Sequence, residues 1–362
     1  MLTSTNEFNF WQAFKSRFKV FEVIRSGKRN PAVDVARALA ILSVALAHFN
    51  KFLPYGELGV DLFFVISGLL IGGILVNQYE SERKISFPRF FAQRAFKILP
   101  SFYFFMLFGN ALVWLMYNQS APNYVVPLSD LKRYLLFYFN YTGDGSPIFF
   151  HIWSLCVEEH FYLILPFVFI TAQYLSSRRL LLMGVLGMIA MGIIGKYLSY
   201  TLLASQETYA GTHNRIDALG YGVLISYLFK NHSEVFFRKW LKRMVFLAGL
   251  IMLAVTIFMD IQLQSAFYTK VVFNSLTHVS FFLLVASAYT TELKFVFPLR
   301  IMAYFSYNWY LWHFMFVKII TDEFGKGMLG VSIFLVLTFS VSVLFTVLIE
   351  ETFLKIRDKV MG

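Results

Sequence analysis

The sequence predicts an all-α, polytopic membrane helical bundle with about ten transmembrane helices. Stretches of 18 or more apolar residues recur along the whole 362-residue chain, as expected for repeated membrane crossings. Hydrophobic residues make up 58% of the chain and charged residues only 15%, whereas a soluble domain carries about 25% charged residues. These observations argue against a soluble globular protein.

The chain divides into a short arm, a long membrane domain and a short tail. Residues 1–31 predict a basic amphipathic arm on the membrane surface, and they show no cleavable signal peptide. Residues 32–350 are predicted to form the transmembrane domain, and residues 351–362 are predicted to form a cytoplasmic tail. Segment 130–140 is too short to span and is predicted to be interfacial or re-entrant. The predicted spans are 32–49, 57–76, 98–117, 155–175, 180–202, 214–229, 243–259, 267–289, 299–320 and 328–349.

The basic residues orient the predicted bundle. Of the 32 Lys and Arg, 23 lie in the arm, the tail and every second loop. The positive-inside rule therefore predicts that both termini are cytoplasmic. A net charge of +11 is also found in proteins that bind nucleic acid. In a membrane protein, however, basic residues confined to loops set the topology and contact anionic lipid. Membrane lipids are thus predicted partners and nucleic acid is not. The single cysteine, Cys156, excludes an intramolecular disulfide.

Two ionisable residues lie on one face of the first predicted span. Arg37 and His48 are eleven residues apart in PAVDVARALAILSVALAHF, so a helix separates them by roughly 16 Å along its axis. An ionisable side chain in an apolar span is costly and marks a candidate functional site. The predicted orientation places Arg37 towards the cytoplasm and His48 at the outer surface.

Other polar residues gather at the predicted outer ends of the spans. Four of the seven histidines fall at comparable depth there. The alternative is that these residues lie at the membrane interface and have no catalytic or binding role. For Glu158, the alternative is an ion pair with Arg215. The candidates besides His48 are Asp61, His151, Trp153, Glu158, Arg215 and His313.

The loop after the second span is basic and aromatic. Arg89, Arg94 and Lys97 are interleaved with phenylalanines, a pattern typical of topology signals with an aromatic belt. The functional alternative is a cytoplasmic anion site, since Arg and Lys pair well with phosphate. In the second span, Gly68 and Gly72 predict close helix packing.

The chain resembles a known family, the acyltransferase-3 membrane family. The resemblance covers roughly residues 30 to 352 in the expected order. DVARALAILSVALAHF is similar to the first-span pattern of Arg, ten residues and His. GVDLFFVISGLLIGG, FFAQRAFKILPSFY, HIWSLCVEEHFYLILP, RIDALGYGVLIS and FSYNWYLWHFMF resemble the later blocks.

The chain also departs from the family pattern. In the basic block, Gln93 stands where the first of two arginines is common, and Lys97 replaces a later arginine. Lysine keeps the charge but loses the bidentate geometry of arginine. Glu350-Glu351-Thr352 stands where the family often has Glu-x-Pro. Some members carry a fused extracytoplasmic hydrolase-like domain, and none is expected in this sequence.

The resemblance implies an acyl-CoA donor, most often acetyl-CoA, and a hydroxyl acceptor on a glycan or lipid-linked sugar. It implies no metal and no permanently bound cofactor. Because CoA is anionic and cytoplasmic, Arg94 and Lys97, with Arg89, are expected where its phosphates arrive. Arg37 is expected to hold a CoA phosphate or the pantetheine arm.

The resemblance also implies roles near the outer face. His48 is the expected general base, since its unperturbed pKa of about 6.5 suits proton removal near neutral pH. Glu158 is expected to orient His48 or bind the acceptor. The expected acceptor-binding residues are Asp61, His151, Trp153, Arg215 and His313. Direct transfer and an acyl-histidine intermediate both stay open.

The expected function is therefore a multi-pass O-acetyltransferase of the bacterial cytoplasmic (inner) membrane. Its expected acceptor class is a surface glycan such as lipopolysaccharide O-antigen. The alternative is a transporter of a lipid-linked sugar or small anion, since polar residues inside a ten-span bundle would serve that as well. No inverted repeat supports the transporter.

Overall fold

The computed structural model describes residue 23 and residues 29–81, 85–117, 121–142, 145–202, 209–232, 234, 238–294 and 296–361. All regular secondary structure in these residues is helical, which confirms the predicted all-α bundle. Most of the predicted arm 1–31 lies outside the described residues, so its surface placement stays a prediction.

We label the α-helices in chain order. The first seven are α1 Pro31–His48, α2 Leu58–Glu80, α3 Phe87–Phe104, α4 Asn110–Tyr117, α5 Leu128–Leu135, α6 Trp153–Tyr174 and α7 Arg178–Leu202. The others are α8 Ile216–Asn231, α9 Lys239–Leu263, α10 Asn274–Ala288, α11 Phe297–Trp312, α12 Val317–Phe324, α13 Met328–Phe345 and α14 Glu351–Met361.

Eight helical segments in the described part of the chain are long and apolar enough to cross a membrane. The other two predicted spans are α8 and α11, which have 16 residues each. A helix of that length rises about 24 Å, less than the roughly 30 Å of a hydrocarbon core. The polytopic bundle is thus confirmed, and the count of ten crossings stays a prediction. Segment 130–140 contains the end of the eight-residue helix α5.

Helix α1 begins at a well-defined cap. The Asn30 side chain accepts hydrogen bonds from the backbone N–H groups of Ala32 and Val33 at 2.9 and 3.3 Å, and Pro31 occupies the first helical position. Asp34 in the first turn forms ion pairs with Arg29 and Arg300 at 2.5 and 3.1 Å. The cap and the ion pairs hold α1 in register, and that register sets the depth of its polar residues.

Glycines bring α2 and α8 into close contact. A Cβ at Gly68 would overlap the Leu219 carbonyl of α8, and a Cβ at Gly222 would overlap the Val65 carbonyl of α2. The predicted close packing of the second span is therefore observed, and α8 is the partner. The backbones of α2 and α8 are in direct contact on this face. The side chains on the other faces of α2 can therefore line a space beside α1.

Three π-helical turns interrupt the bundle. Phe105–Gly109 joins α3 to α4, Tyr268–Phe273 precedes α10, and Thr346–Glu350 joins α13 to α14. Such turns are found frequently at functional sites. The third turn places Glu350 beside Lys97 of α3. We call this end of the bundle, where α1 begins and α14 lies, the basic end. The end where α1 finishes is the histidine end.

Candidate functional site

Two histidines meet at the histidine end. His48 is the last residue of α1, and His313 begins the 3-10 turn His313–Phe316 after α11. The Nδ1 atom of His48 lies 2.8 Å from Nε2 of His313. The rings are stacked, with centroids 5.1 Å apart and planes inclined by 7°. We call this pair the histidine dyad.

The hydrogen bonds of His313 assign the tautomers of the dyad. Its Nδ1 faces the carbonyl oxygens of Tyr310 and Trp309 at 2.8 and 3.2 Å. Carbonyl oxygens only accept, so Nδ1 of His313 carries the hydrogen and, in the neutral ring, Nε2 is an acceptor. His48 therefore donates from its Nδ1 to His313, and its Nε2, which carries the lone pair, has no hydrogen-bond partner among the described residues. His48 is half-buried.

A third histidine packs behind the dyad. His151 is 2% exposed, and its Nε2 donates to the Leu311 carbonyl over 3.1 Å. Its ring stacks on Phe314 and meets His313 edge-on at 5.4 Å. The fourth histidine predicted at this depth, His213, lies elsewhere and contacts Ser199 and Tyr141. The structure thus brings three of the four together, and only His313 hydrogen-bonds to His48.

A cavity of about 120 Å³ lies between α1, α2, α3, α6 and α11. We call it the inner cavity. Its apolar wall comes largely from α2, and its polar groups are spread along its length. Because Tyr310 lines it and also holds His313 through its carbonyl, this wall is one helical turn from the dyad. The polar lining residues are Arg37, Ser67, Arg94, Lys97, Ser154, Glu158, Tyr162, Ser306, Tyr307 and Tyr310.

Arg37 presents an uncompensated cation to the inner cavity. Its Nη2 donates to the Ser306 hydroxyl over 3.0 Å, and its Nε is buried without a hydrogen-bond partner. Among the residues that the structure describes, no carboxylate forms an ion pair with it. A guanidinium in an apolar surrounding is costly unless an anion joins it. The predicted anion-binding role of Arg37 fits this position.

Glu158 lies in the wall of the inner cavity. It accepts hydrogen bonds from the hydroxyls of Ser67 and Tyr162, at 2.9 and 2.8 Å. Neither His48 nor Arg215 is its partner. The expectation that Glu158 orients His48 is therefore corrected, because His313 occupies that position. α6 begins at Trp153, and Glu158 follows five residues later. Glu158 therefore lies about 7.5 Å further along the axis of α6 than Trp153 does.

A second, wider cleft lies at the basic end. It has a volume of about 780 Å³, and Arg94 and Lys97 line both this cleft and the inner cavity. Arg94 has no carboxylate at ion-pair distance in the described part of the chain, whereas Lys97 forms an ion pair with Glu350. Arg89 lines the cleft as well. We call it the basic cleft, and the three predicted donor-binding cations of the loop all face it.

The predicted acceptor-binding residues Asp61 and Arg215 belong to a buried network of charges. Asp61 lies 2.9 Å from Nη1 of Arg215 and 3.0 Å from Nε2 of His278. Asp217 lies 2.8 Å from Nδ1 of the same histidine and forms an ion pair with Lys196. All five side chains are at most 3% exposed. The network ties α2, α7, α8 and α10 together.

Trp153 packs against the same network. Its ring lies 5.6 Å from the Arg215 guanidinium and edge-on to Tyr209, and it is 4% exposed. Asp61 and Arg215 pair within this network, as buried charges inside a bundle do. Nη2 of Arg215 has no hydrogen-bond partner among the described residues, and acceptor binding by Asp61, Trp153 and Arg215 stays a prediction.

Several residues of these sites were not predicted from sequence. His278 lies within the predicted span 267–289, so the criterion that singled out Arg37 could have found it. Tyr310 and Ser306 carried no signal, because a hydroxyl in an aromatic span is ordinary. Within the described residues, no group of three or more His, Cys, Asp or Glu side chains is arranged to hold a metal ion.

The fold and the site define a class: a multi-pass helical membrane protein whose inner cavity shares Arg94 and Lys97 with a cationic cleft and is also lined by Tyr310, whose carbonyl contacts the histidine dyad. The profile of the acyltransferase-3 family, described as an acyltransferase domain, matches residues 30–349. The chain belongs to this family.

Curated relatives are consistent with the family. The chain is 24% identical over 358 residues to O-acetyltransferase OatA of Staphylococcus aureus strain NCTC 8325, and it is equally similar to OatA of strain COL. Each alignment covers 92% of this chain and 57% of the relative, so the chain spans little more than half the length of these proteins. No solved structure matches the chain.

Proposed function

We propose that this protein is a membrane O-acyltransferase of the bacterial inner membrane. It moves an acyl group, most often acetyl, from cytoplasmic acyl-CoA to a hydroxyl of a cell-surface glycan such as lipopolysaccharide O-antigen. Family membership and the O-acetyltransferase names of the relatives support the reaction class. The positive-inside rule supports a cytoplasmic basic end and an outward-facing dyad.

One observation carries the proposal: the basic cleft and the inner cavity share Arg94 and Lys97. The inner cavity then passes Arg37 and Glu158 and reaches Tyr310 beneath the dyad. An anionic nucleotide would bind at the basic end while a slender thioester arm extends towards His48. The roughly 16 Å between Arg37 and His48 along α1 is a distance that a pantetheine arm can bridge.

The dyad supplies the proton chemistry. As the glycan oxygen attacks the thioester carbonyl, Nε2 of His48 removes the hydroxyl proton. The tetrahedral intermediate then collapses, the carbon–sulfur bond breaks, and the sulfur takes the proton from His48. The products are the O-acyl glycan and CoA thiol, with no net proton released. Positioned proton transfer of this kind contributes about 10²–10⁴-fold to a rate.

His313 is a positioning residue in this mechanism. It accepts the Nδ1 hydrogen of His48 over 2.8 Å and so holds Nε2 as the basic nitrogen. The Tyr310 and Trp309 carbonyls hold His313 in turn. This arrangement is a base oriented by a second group, as nucleophile and base systems commonly require.

Replacing His313 with alanine is expected to lower kcat while leaving the affinity for acetyl-CoA close to the wild-type value. The loss should be about tenfold to a hundredfold, a part of the 10²–10⁴-fold that a general base contributes, because His48 remains but loses its fixed tautomer. Steady-state kinetics of the purified protein measures kcat and KM separately. The control is His213→Ala, which removes a histidine that the structure places away from the dyad. Equal losses in the two variants would remove His313 from the mechanism.

The proposed function is tested by donor binding and by acetylation in cells. Acetyl-CoA is expected to raise the thermal stability of the purified protein, since a ligand of the native state stabilises it. Mass spectrometry should show that deletion of the gene removes acetyl groups from a surface glycan and that the wild-type gene restores them. Absent stabilisation together with unchanged glycans would contradict the proposal and favour the transporter.

A further inference from the structure

The C-terminal helix α14 lies beyond the residues matched by the family profile, which ends at residue 349. The sequence alone suggested only a cytoplasmic tail there. In the structure one face of α14 forms a wall of the basic cleft, opposite the start of α3. Its cleft-lining residues are Glu351, Leu354, Arg357, Asp358 and Met361, which recur at the spacing of a single helix face.

The basic cleft carries more positive than negative charge. Two of its cations are already paired, since Arg29 contacts Asp34 and Lys97 contacts Glu350. Arg89 and Arg94 have no ion-pair partner among the described residues. These two arginines leave the cleft with an uncompensated charge that suits a polyvalent anion.

Arg357 is the cation that α14 contributes to the basic cleft. Its one ion-pair partner among the described residues is its neighbour in sequence, Asp358, at 2.7 Å, and both side chains are substantially exposed to solvent. An exposed ion pair contributes little to stability, so the guanidinium can exchange this carboxylate for a stronger partner. A phosphate with a bidentate fit is such a partner.

The basic cleft is larger than the inner cavity, and a donor with a bulky nucleotide and a slender arm would need that difference in size. The basic cleft has a volume of about 780 Å³ and the inner cavity about 120 Å³. The inner cavity also has the more apolar wall, from Phe63, Phe64 and Ile71. A wide cationic space followed by a narrow apolar one matches a phosphorylated nucleotide followed by a slender arm.

We propose that α14 is part of the donor site and that its Arg357, together with Arg89 of α3, binds the phosphates of the donor nucleotide. This inference rests on the proposed function, because it assumes that acyl-CoA is the donor. It assigns a binding role to a helix that lies outside the family domain.

The test compares two variants of α14 that lose the same charge. Arg357→Ala removes the cation that lines the cleft, and Lys359→Ala removes an exposed cation of the same helix that does not line it. The probes are CoA and adenosine 3′,5′-bisphosphate, titrated against the purified full chain by calorimetry. Arg357→Ala should weaken both affinities about tenfold, the usual loss for one charge-assisted contact, and Lys359→Ala should leave them unchanged.

A donor without a nucleotide separates binding from folding. With S-acetylpantetheine as donor, Arg357→Ala should transfer acetyl groups at the wild-type rate, which a misfolded variant could not do. Equal CoA affinities for Arg357→Ala and Lys359→Ala would overturn the inference while wild-type CoA binding leaves the proposed function standing. A wild-type protein that binds no CoA would overturn both.

An anionic lipid headgroup offers the same phosphate chemistry near the membrane surface. The titration is therefore repeated in nanodiscs of phosphatidylcholine alone and with phosphatidylglycerol. If the site binds a nucleotide, the tenfold difference in CoA affinity between the wild type and Arg357→Ala should persist in both lipids. Loss of the difference when phosphatidylglycerol is present would identify a lipid site and overturn the inference.

Discussion

Replacing His48 with alanine is expected to abolish acetyl transfer while the protein still binds acetyl-CoA. A sugar hydroxyl is a poor nucleophile until its proton is removed, and the free Nε2 of His48 is the base that the dyad prepares. Loss of a general base costs about 10²–10⁴-fold. Donor binding should persist because the polar residues of the inner cavity and the basic cleft, including Arg37 and Arg94, are untouched.

The measurement pairs a transfer assay with a donor titration on the same preparation. His48 also packs edge-on against Phe314 at 4.8 Å, so the thermal unfolding midpoint of the variant is recorded as well. His48→Gln is the companion variant, since it keeps a polar side chain without an imidazole base. Substantial transfer by either variant, with normal donor binding, would eliminate the general-base role.

Replacing Arg37 with alanine is expected to weaken acetyl-CoA binding by about tenfold to a hundredfold, the range for a hydrogen bond to a charged group. The free energy of unfolding of the ligand-free protein should not fall. Arg37 has no ion-pair partner among the described residues, and its Nε is buried without a hydrogen bond, so its burial costs stability. Removing a partly buried charge that has no ion pair relieves that cost.

The control for Arg37 is another arginine that borders α1. Arg300 forms an ion pair with Asp34 in the first turn of α1 at 3.1 Å, and it does not line either cavity. Arg300→Ala should lower thermal stability and leave donor affinity unchanged, the opposite pattern to Arg37→Ala. Calorimetric titration with acetyl-CoA and thermal unfolding measure the two quantities. If Arg37→Ala destabilises the protein and leaves donor affinity intact, Arg37 is structural.

Hydropathy alone predicted most of the fold. Each predicted span overlaps a helix in the described part of the chain, because an apolar segment in lipid must satisfy its backbone polar groups within itself. The length criterion is met by eight segments, and α8 and α11 are shorter. α11 is short because His313 begins a 3-10 turn, and the same turn holds that ring beside His48.

The candidate site was predicted only where its residues share one helix. Arg37 and His48 both lie on α1, so helical geometry was enough to relate them. His48 and His313 are 265 residues apart in sequence, and no periodicity relates residues on different helices. Depth alone could not show that Asp61 and Arg215 pair with each other, because residues at similar depth can face a pairing partner or a cavity.

The sequence by itself determined the class of this protein, its repeated apolar helices and the position of Arg37 and His48 along α1. These properties follow from composition and from the fixed rise and turn of a helix. Only the tertiary structure decided which polar groups are neutralised and which stay available. It paired Asp61 with Arg215 and Lys97 with Glu350. Among the described residues, it left Arg37 without an ion-pair partner and the Nε2 of His48 without a hydrogen bond. Helix packing brings distant residues to hydrogen-bond distance, and at that distance the energy of each charge is set.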